Sequence, residues 1–88
     1  MTNTEKLVEA VTYAKDSGTN WWEVFDSISD AMTIIKLAEK EEPEEGQVVC
    51  LLSVQDHDEN LFESRTMYSA YRNTIRLMHR ELKEISDE

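Results

Sequence analysis

VVCLLSV, residues 48–54, is the stretch that decides the fold class. It is continuous, apolar and rich in β-branched residues, so a buried strand and a short buried helix both fit it. The sequence holds no second strand candidate, and an isolated strand would leave its backbone N–H and C=O groups unpaired. Pro43 at a first helical position, followed by two glutamates, would open a short helix well. We therefore predict a helix, and a strand stays open only as an intersubunit strand paired between two copies of the chain.

Three longer helices are predicted around this stretch: residues 3–16, 21–40 and 61–85. Each begins with a capping box, in which the first side chain and a glutamate three residues later bond each other's backbone N–H groups. The three pairs are Thr2 with Glu5, Asn20 with Glu23, and Asn60 with Glu63. Gly18 is expected to end the first helix as its C-terminal cap. The predicted fold is all-α: one domain, residues 1–88, built as a small bundle of three helices plus one short helix.

The second predicted helix is apolar on two sides. Its main stripe follows a spacing of four and three residues, which is typical of one buried helical face: Trp21, Phe25, Ile28, Met32 and Ile35. Ile34 and Leu37 fall almost opposite that stripe. A single layer of three helices is poorly suited to bury both apolar sides of this helix, so we expect a homodimer or a higher homo-oligomer. Trp22 falls at the edge of the polar face, where it either covers a neighbouring loop or anchors a partner.

Acidic charge is segregated along the chain, whose formal net charge is -10. Residues 1–60 hold 14 acids against four lysines, whereas residues 61–88 hold five acids and five bases and are neutral overall. Nucleic-acid binding requires a basic footprint, so this balance counts against direct contact with nucleic acid. A strongly acidic surface fits a partner that is itself basic.

The bases of residues 61–88 all project from one side of the last predicted helix, and we call this side the cationic face. Its members are Arg65, Arg72, Arg76, Arg80 and Lys83. The face either lies along acidic helices of the same chain, meets the acidic surface of a second copy, or holds an anionic ligand. Arginine suits the last two interpretations, because its planar guanidinium binds a carboxylate or a phosphate through two hydrogen bonds at once.

The chain carries no complete catalytic, cofactor or metal motif. Its two glycines, Gly18 and Gly46, lie 28 residues apart, which excludes both the GxGxxG motif and the phosphate-binding P-loop. QDHDEN, residues 55–60, matches the first three ligand positions of an EF-hand calcium loop. Leu61 and Met67 then stand where that loop needs Gly and Glu. We therefore predict no metal site, no cofactor and no catalytic residue.

Location can also be predicted from the sequence. The longest apolar run, residues 48–52, is far shorter than the ~20 residues that cross a bilayer. The first ten residues lack the basic and apolar regions of a signal peptide. Cys50 is the single cysteine and cannot form an internal disulfide. We expect a cytoplasmic protein without membrane contact.

Two functions are consistent with these observations. The favoured hypothesis is a non-enzymatic interaction protein, an inhibitor or adaptor that occupies a basic surface of a larger protein partner. Its extreme form is a DNA mimic. The alternative is a small oligomeric module that binds an anion or a nucleotide through the cationic face. The interaction candidates are Trp22 and the five residues of the cationic face.

Overall fold

The stretch that decides the fold class is helical in the computed structural model, which describes residues 1–55 and 66–86. It lies in helix α3, Glu45–Gln55. The other helices are α1, Asn3–Ser17, α2, Ile28–Glu39, and α4, Met67–Ser86, and one 3₁₀ turn, Trp21–Val24, lies between α1 and α2. No strand occurs in the described residues, so the all-α prediction is confirmed. The alternative of an intersubunit strand is wrong, because α3 pairs its backbone groups internally.

Helix α1 has both of its predicted ends. The Thr2 hydroxyl accepts a hydrogen bond from the Glu5 backbone N–H at 3.1 Å. Gly18 has a φ of 74°, in the left-handed region, and its N–H bonds the carbonyl of Ala14. A residue with a side chain would be strained at that φ, which explains the glycine.

The predicted continuous helix over residues 21–40 is wrong. The backbone is extended at Phe25 (φ -90°, ψ 162°) and at Ser27 (φ -156°, ψ 165°), and α2 begins only after this break. The cause is a second helix start within the predicted helix: the Ser27 hydroxyl accepts a hydrogen bond from the Asp30 N–H at 3.1 Å. Serine with an acidic residue three positions later is a strong N-terminal signal.

The side of α2 that faces the core only partly matches the predicted stripe. The residues of α2 that are buried are Ala31, Ile35 and Ala38. Met32, which belongs to the predicted stripe, is only half-buried. Ile28 and Met32 still pack against the core beside Ile35. The predicted stripe therefore includes one of the three buried residues of α2 and omits Ala31 and Ala38.

Helix α3 begins two residues later than Pro43 would place it. The N–H of Glu44 donates to the side-chain oxygen of Gln47 at 3.0 Å, and the N–H of Gln47 donates to the Glu44 carbonyl at 3.0 Å. Glu44 is therefore the capping residue, and Pro43 precedes the helix instead of opening it. Val48 and Leu51 of α3 are buried in the core.

Helix α4 supplies the largest share of the core. Its buried residues are Ala70, Tyr71, Thr74, Ile75, Met78 and Leu82. The Thr66 hydroxyl accepts the Ser69 N–H at 3.0 Å and caps this helix. The predicted start after Asn60, with Leu61 and Glu63, lies outside the described residues.

The four helices pack in a closed arrangement. Helix α1 packs against α2 and α3, and both of these also pack against α4, so that α1 and α4 lie diagonally across the core. In residues 1–55 and 66–86, no helix is long and apolar enough to cross a membrane.

A hydrogen-bonded cluster connects three of these helices. The Glu41 carboxylate, just beyond α2, accepts the backbone N–H of Asn3 at 2.8 Å and that of Thr4 at 2.9 Å, which are the first two amides of α1. The Thr4 hydroxyl also donates to Glu41, at 2.7 Å. Tyr71 on α4 donates its hydroxyl hydrogen to the Ala38 carbonyl at 2.8 Å and contacts the Thr4 hydroxyl. The cluster fixes the start of α1 against the end of α2.

The cluster also shifts two pKa values in opposite directions. Partial burial raises the pKa of the Glu41 carboxyl, but the hydrogen bonds from Thr4 and Asn3 together outweigh burial, so the pKa is lowered from its ordinary value. Burial raises the pKa of Tyr71 to about 12, although the neighbouring Thr4 hydroxyl acts the other way. Glu41 is therefore held as a carboxylate and Tyr71 as a neutral phenol.

Candidate interaction surfaces

The cationic face lies on the side of α4 that points away from the core. Arg76, Arg80 and Lys83 are exposed there. Arg76 approaches Glu39 of α2, with 3.8 Å between its Nε and the carboxylate Oε1. This is the only ion pair among the described residues, and an exposed pair contributes roughly 0–1 kcal/mol. Arg65 lies outside the described residues.

Arg72 differs from the other described members of the cationic face. Its guanidinium carbon lies 4.4 Å from the centre of the Tyr68 ring, and its Nη2 donates to the Tyr68 hydroxyl at 2.8 Å. The Nε of Arg72 is buried and has no hydrogen-bond partner in the part of the chain that the structure describes. The side chain is therefore occupied by a neighbour on its own helix, which leaves less of it for an outside ligand.

A shallow hollow lies beside two exposed arginines of the cationic face, Arg76 and Arg80. It has a volume of about 110 Å³ and is lined by Asn73, Arg76, Leu77 and Arg80. Arg76 also donates from Nη1 to the Asn73 side-chain oxygen at 3.4 Å. The structure thus brings two of the predicted arginines to one small concave surface.

The two tryptophans occupy different environments. Trp21 is 4% exposed, and its Nε1 donates to Glu81 of α4 at 3.3 Å. Trp22 is half-buried and packs edge-on against Trp21, with 5.8 Å between ring centres and 84° between ring planes. This is a favourable arrangement for two aromatic rings. Trp22 therefore covers Trp21 and leaves only part of its own ring to solvent.

A groove that the sequence did not predict runs between α1, the 3₁₀ turn and α2. It consists of two adjacent hollows of about 400 and 380 Å³, which share Lys6, Val24 and Phe25 as lining residues. We call it the α1–α2 groove. Its apolar lining residues are Ala10, Tyr13, Val24, Phe25 and Ile34. Tyr13 is 62% exposed and Val24 is 40% exposed, so the groove presents two large apolar side chains to solvent.

The lining of the α1–α2 groove is acidic where it is not apolar. Glu9, Asp26 and Asp30 are exposed carboxylates, and Lys6 is the only cation that lines either hollow. An apolar lining that also carries an excess of carboxylates favours ligands that combine apolar and basic groups.

Part of this groove had a signal in the sequence. Ile34, predicted to lie on the second apolar side of the helix, forms part of its wall. Leu37 follows Ile34 by one turn and is 45% exposed. Lys6, Ala10 and Tyr13 follow one another at intervals of four and three residues, so they share one side of α1 beside its buried stripe. This spacing could have identified the α1 wall of the groove. The contribution of Val24 depends on the unpredicted break before α2.

Within residues 1–55 and 66–86, no cluster of three acidic, histidine or cysteine side chains could hold a metal ion. Residues 56–60 of the EF-hand-like stretch lie outside that part of the chain. Comparison with protein-family models, curated proteins and solved structures gave no match.

Proposed function

We propose that the protein is a non-enzymatic interaction protein, an inhibitor or adaptor whose acidic surface occupies a basic surface of a larger protein partner. The observation that carries this proposal is a set of exposed carboxylates without ion-pair partners among the described residues. In residues 1–55 these are Glu5, Glu9, Asp16, Glu23, Asp26, Asp30, Glu42, Glu44 and Glu45.

Unpaired exposed carboxylates produce a negative potential that extends into solvent. Such a potential attracts a basic protein surface, raises the rate of association and disfavours acidic surfaces. The cationic face neutralises little of it, because within the described residues only Arg76 reaches a carboxylate, Glu39. A DNA mimic is the extreme form of this proposal, in which the carboxylates occupy a site that otherwise binds phosphates.

The proposal places the protein in the cytoplasm and assigns it no catalytic role, because the sequence lacks a catalytic motif. A homodimer or higher oligomer is part of the same proposal. The exposed Leu37 next to the half-buried Ile34 supports it, since residues 1–55 and 66–86 do not fully cover the second apolar side of α2.

A second candidate function rests on the hollow beside Arg76 and Arg80. Two exposed guanidinium groups next to a concave surface could bind a phosphate-bearing ligand through paired hydrogen bonds. This candidate is weaker, because Arg72 is engaged with Tyr68 and the hollow is small. Ultraviolet absorbance characteristic of a nucleotide in the purified protein would favour it over the first.

The acidic-surface proposal predicts strong salt dependence. A partner isolated by pull-down from a lysate, and identified by mass spectrometry, should bind about tenfold or more weakly at 1 M than at 0.1 M salt. The reason is that the screening length falls from about 10 Å to 3 Å over that range. Titration calorimetry at the two concentrations makes the measurement. An affinity that does not change with salt would contradict the proposal and point to an apolar interface through Ile34 and Leu37.

A further inference from the structure

We infer that the α1–α2 groove is the docking site for a basic amphipathic helix of the partner. The inference rests on the proposed function and gives it a location and a partner chemistry. Three observations support it: the exposed apolar lining, the excess of carboxylates around that lining, and the absence of a strand edge in the described part of the chain.

The apolar lining gives the partner places for apolar side chains. Each of the two hollows falls within the roughly 300–1,000 Å³ range of ligand-binding pockets. The hollows adjoin, because both are lined by Lys6, Val24 and Phe25, so an elongated ligand that crosses these residues can contact both. An amphipathic helix presents apolar side chains one turn apart along one face, which suits two neighbouring hollows.

The charges select a basic helix. Lysine or arginine residues that flank the apolar face of the partner would lie near Glu9, Asp26 and Asp30. A second copy of this chain fits the groove poorly, because residues 1–60 of that copy, with 14 acids against four lysines, would meet the groove carboxylates Glu9, Asp26 and Asp30. Its cationic face also lacks the required anchors, since none of the large exposed apolar side chains of the described residues lies on α4.

The backbone of the groove favours a helix over an extended peptide. Extended peptides are commonly bound by adding a strand to a sheet edge, where free N–H and C=O groups pair with them. The α1–α2 groove is walled by two α-helices and a 3₁₀ turn, and the described residues contain no sheet. Recognition here must therefore come from side chains.

The test uses a synthetic peptide of about 18 residues, or five helical turns, made of Leu, Lys and Ala with Leu at i, i+3, i+4 and i+7. A scrambled peptide of the same composition is its control. Nuclear magnetic resonance titration of the labelled protein should show saturable shifts at the amides of Tyr13, Val24 and Phe25. The scrambled peptide should bind about tenfold or more weakly. No saturable shift at these amides up to about 1 mM peptide, the range of very weak binding, would overturn the inference.

Two matched pairs of variants locate the binding. Val24→Glu should weaken binding of the amphipathic peptide about tenfold or more, whereas Val49→Glu should change it little. Val49 is a suitable control because it is also a large exposed apolar residue, at 51% against 40% for Val24.

The double change Asp26→Lys, Asp30→Lys should weaken binding of the peptide far more than the double change Glu42→Lys, Glu44→Lys. These two double variants alter the net charge equally, and circular dichroism verifies that each is folded.

The variants also separate this inference from the proposed function. Equal weakening by the two lysine pairs would overturn docking in the groove and leave the acidic-surface proposal intact. If neither lysine pair weakens binding, and binding is also independent of salt, both the docking inference and the acidic-surface proposal are overturned. A Val24→Glu variant whose mass by light scattering falls below that of the wild type would show that the groove joins copies of this chain, which also overturns a partner helix.

Discussion

Replacing Trp21 with alanine is expected to lower the free energy of unfolding by about 3–5 kcal/mol, and the same change at Trp22 should cost much less. Trp21 is almost completely buried and belongs to the main core, where truncation removes apolar contacts and leaves a cavity. Its hydrogen bond to Glu81 is lost as well. Trp22 is half-buried, so part of its surface already faces water.

Denaturant unfolding followed by circular dichroism measures both losses. Trp21→Phe is a useful intermediate, because it retains an aromatic ring and loses the indole N–H. It should fall between the wild type and the alanine variant. Equal destabilisation by the two alanine variants would mean that Trp22 serves the core as much as Trp21 does, and would remove it from the interaction candidates.

Removing the Tyr71 hydroxyl should have the second largest effect. Tyr71→Phe retains the buried ring but leaves the Ala38 carbonyl and the Thr4 hydroxyl without this partner. Both groups keep another hydrogen bond: the Ala38 carbonyl accepts the Glu41 N–H at 2.9 Å, and the Thr4 hydroxyl donates to the Glu41 carboxylate at 2.7 Å. The expected cost is therefore that of one lost hydrogen bond, about 0.5–1.5 kcal/mol. Tyr13→Phe is the matched control, because it removes a phenol hydroxyl that is exposed. Denaturant unfolding at neutral pH should show a loss for the first variant and almost none for the second.

The wild type and Tyr71→Phe can also be compared at alkaline pH. The pKa of Tyr71 is raised from 10.0 to about 12 in the folded state. Its neutral phenol therefore stabilises the fold fully below pH 10, and this contribution is lost as the pH rises through about 12. The difference in unfolding free energy between wild type and Tyr71→Phe should shrink over that interval. A constant difference from pH 9 to 12 would contradict the burial of this hydroxyl.

Local signals in the sequence predicted much of the fold. Thr2 and Gly18 mark the two ends of α1, and both were predicted from residues that lie within one turn of the end. Tyr71, Ile75, Met78 and Leu82 of α4 follow the four-three spacing that is typical of one helical face, and all four are buried. Two arguments favoured a helix for residues 48–54: the need to pair the backbone groups, and Pro43 with the two glutamates that follow it, although Pro43 precedes α3.

The errors arose where two local signals compete. Asn20 and Ser27 are both good N-terminal caps, and a single apolar spacing runs past both. The sequence pattern does not show that the chain becomes extended between them, because the packing of Trp21 against Trp22 and Phe25 is a three-dimensional outcome. The first of these caps starts only a 3₁₀ turn.

The candidate surfaces were predicted less completely than the fold. The exposed side of α4 follows from helical geometry, so Arg76 and Arg80 appear together as predicted. The α1–α2 groove depends on how three elements sit against one another, and no spacing along one helix contains that information. The contact between Arg72 and Tyr68 was predictable in part. Tyr68 lies one turn before Arg72, and side chains at that spacing interact on a helix.

The attachment of Glu41 to the start of α1 has a consequence for how the molecule opens. Helix ends usually fray first, since their first amides have no partner within the helix. In α1 the amides of Asn3 and Thr4 are held by a carboxylate 38 and 37 residues further along the chain. Fraying there must release the segment between α2 and α3 as well. Hydrogen exchange at these two amides therefore requires the contact between α1 and Glu41 to open. The beginning of α1 is thus expected to open together with the rest of the bundle and not by local fraying.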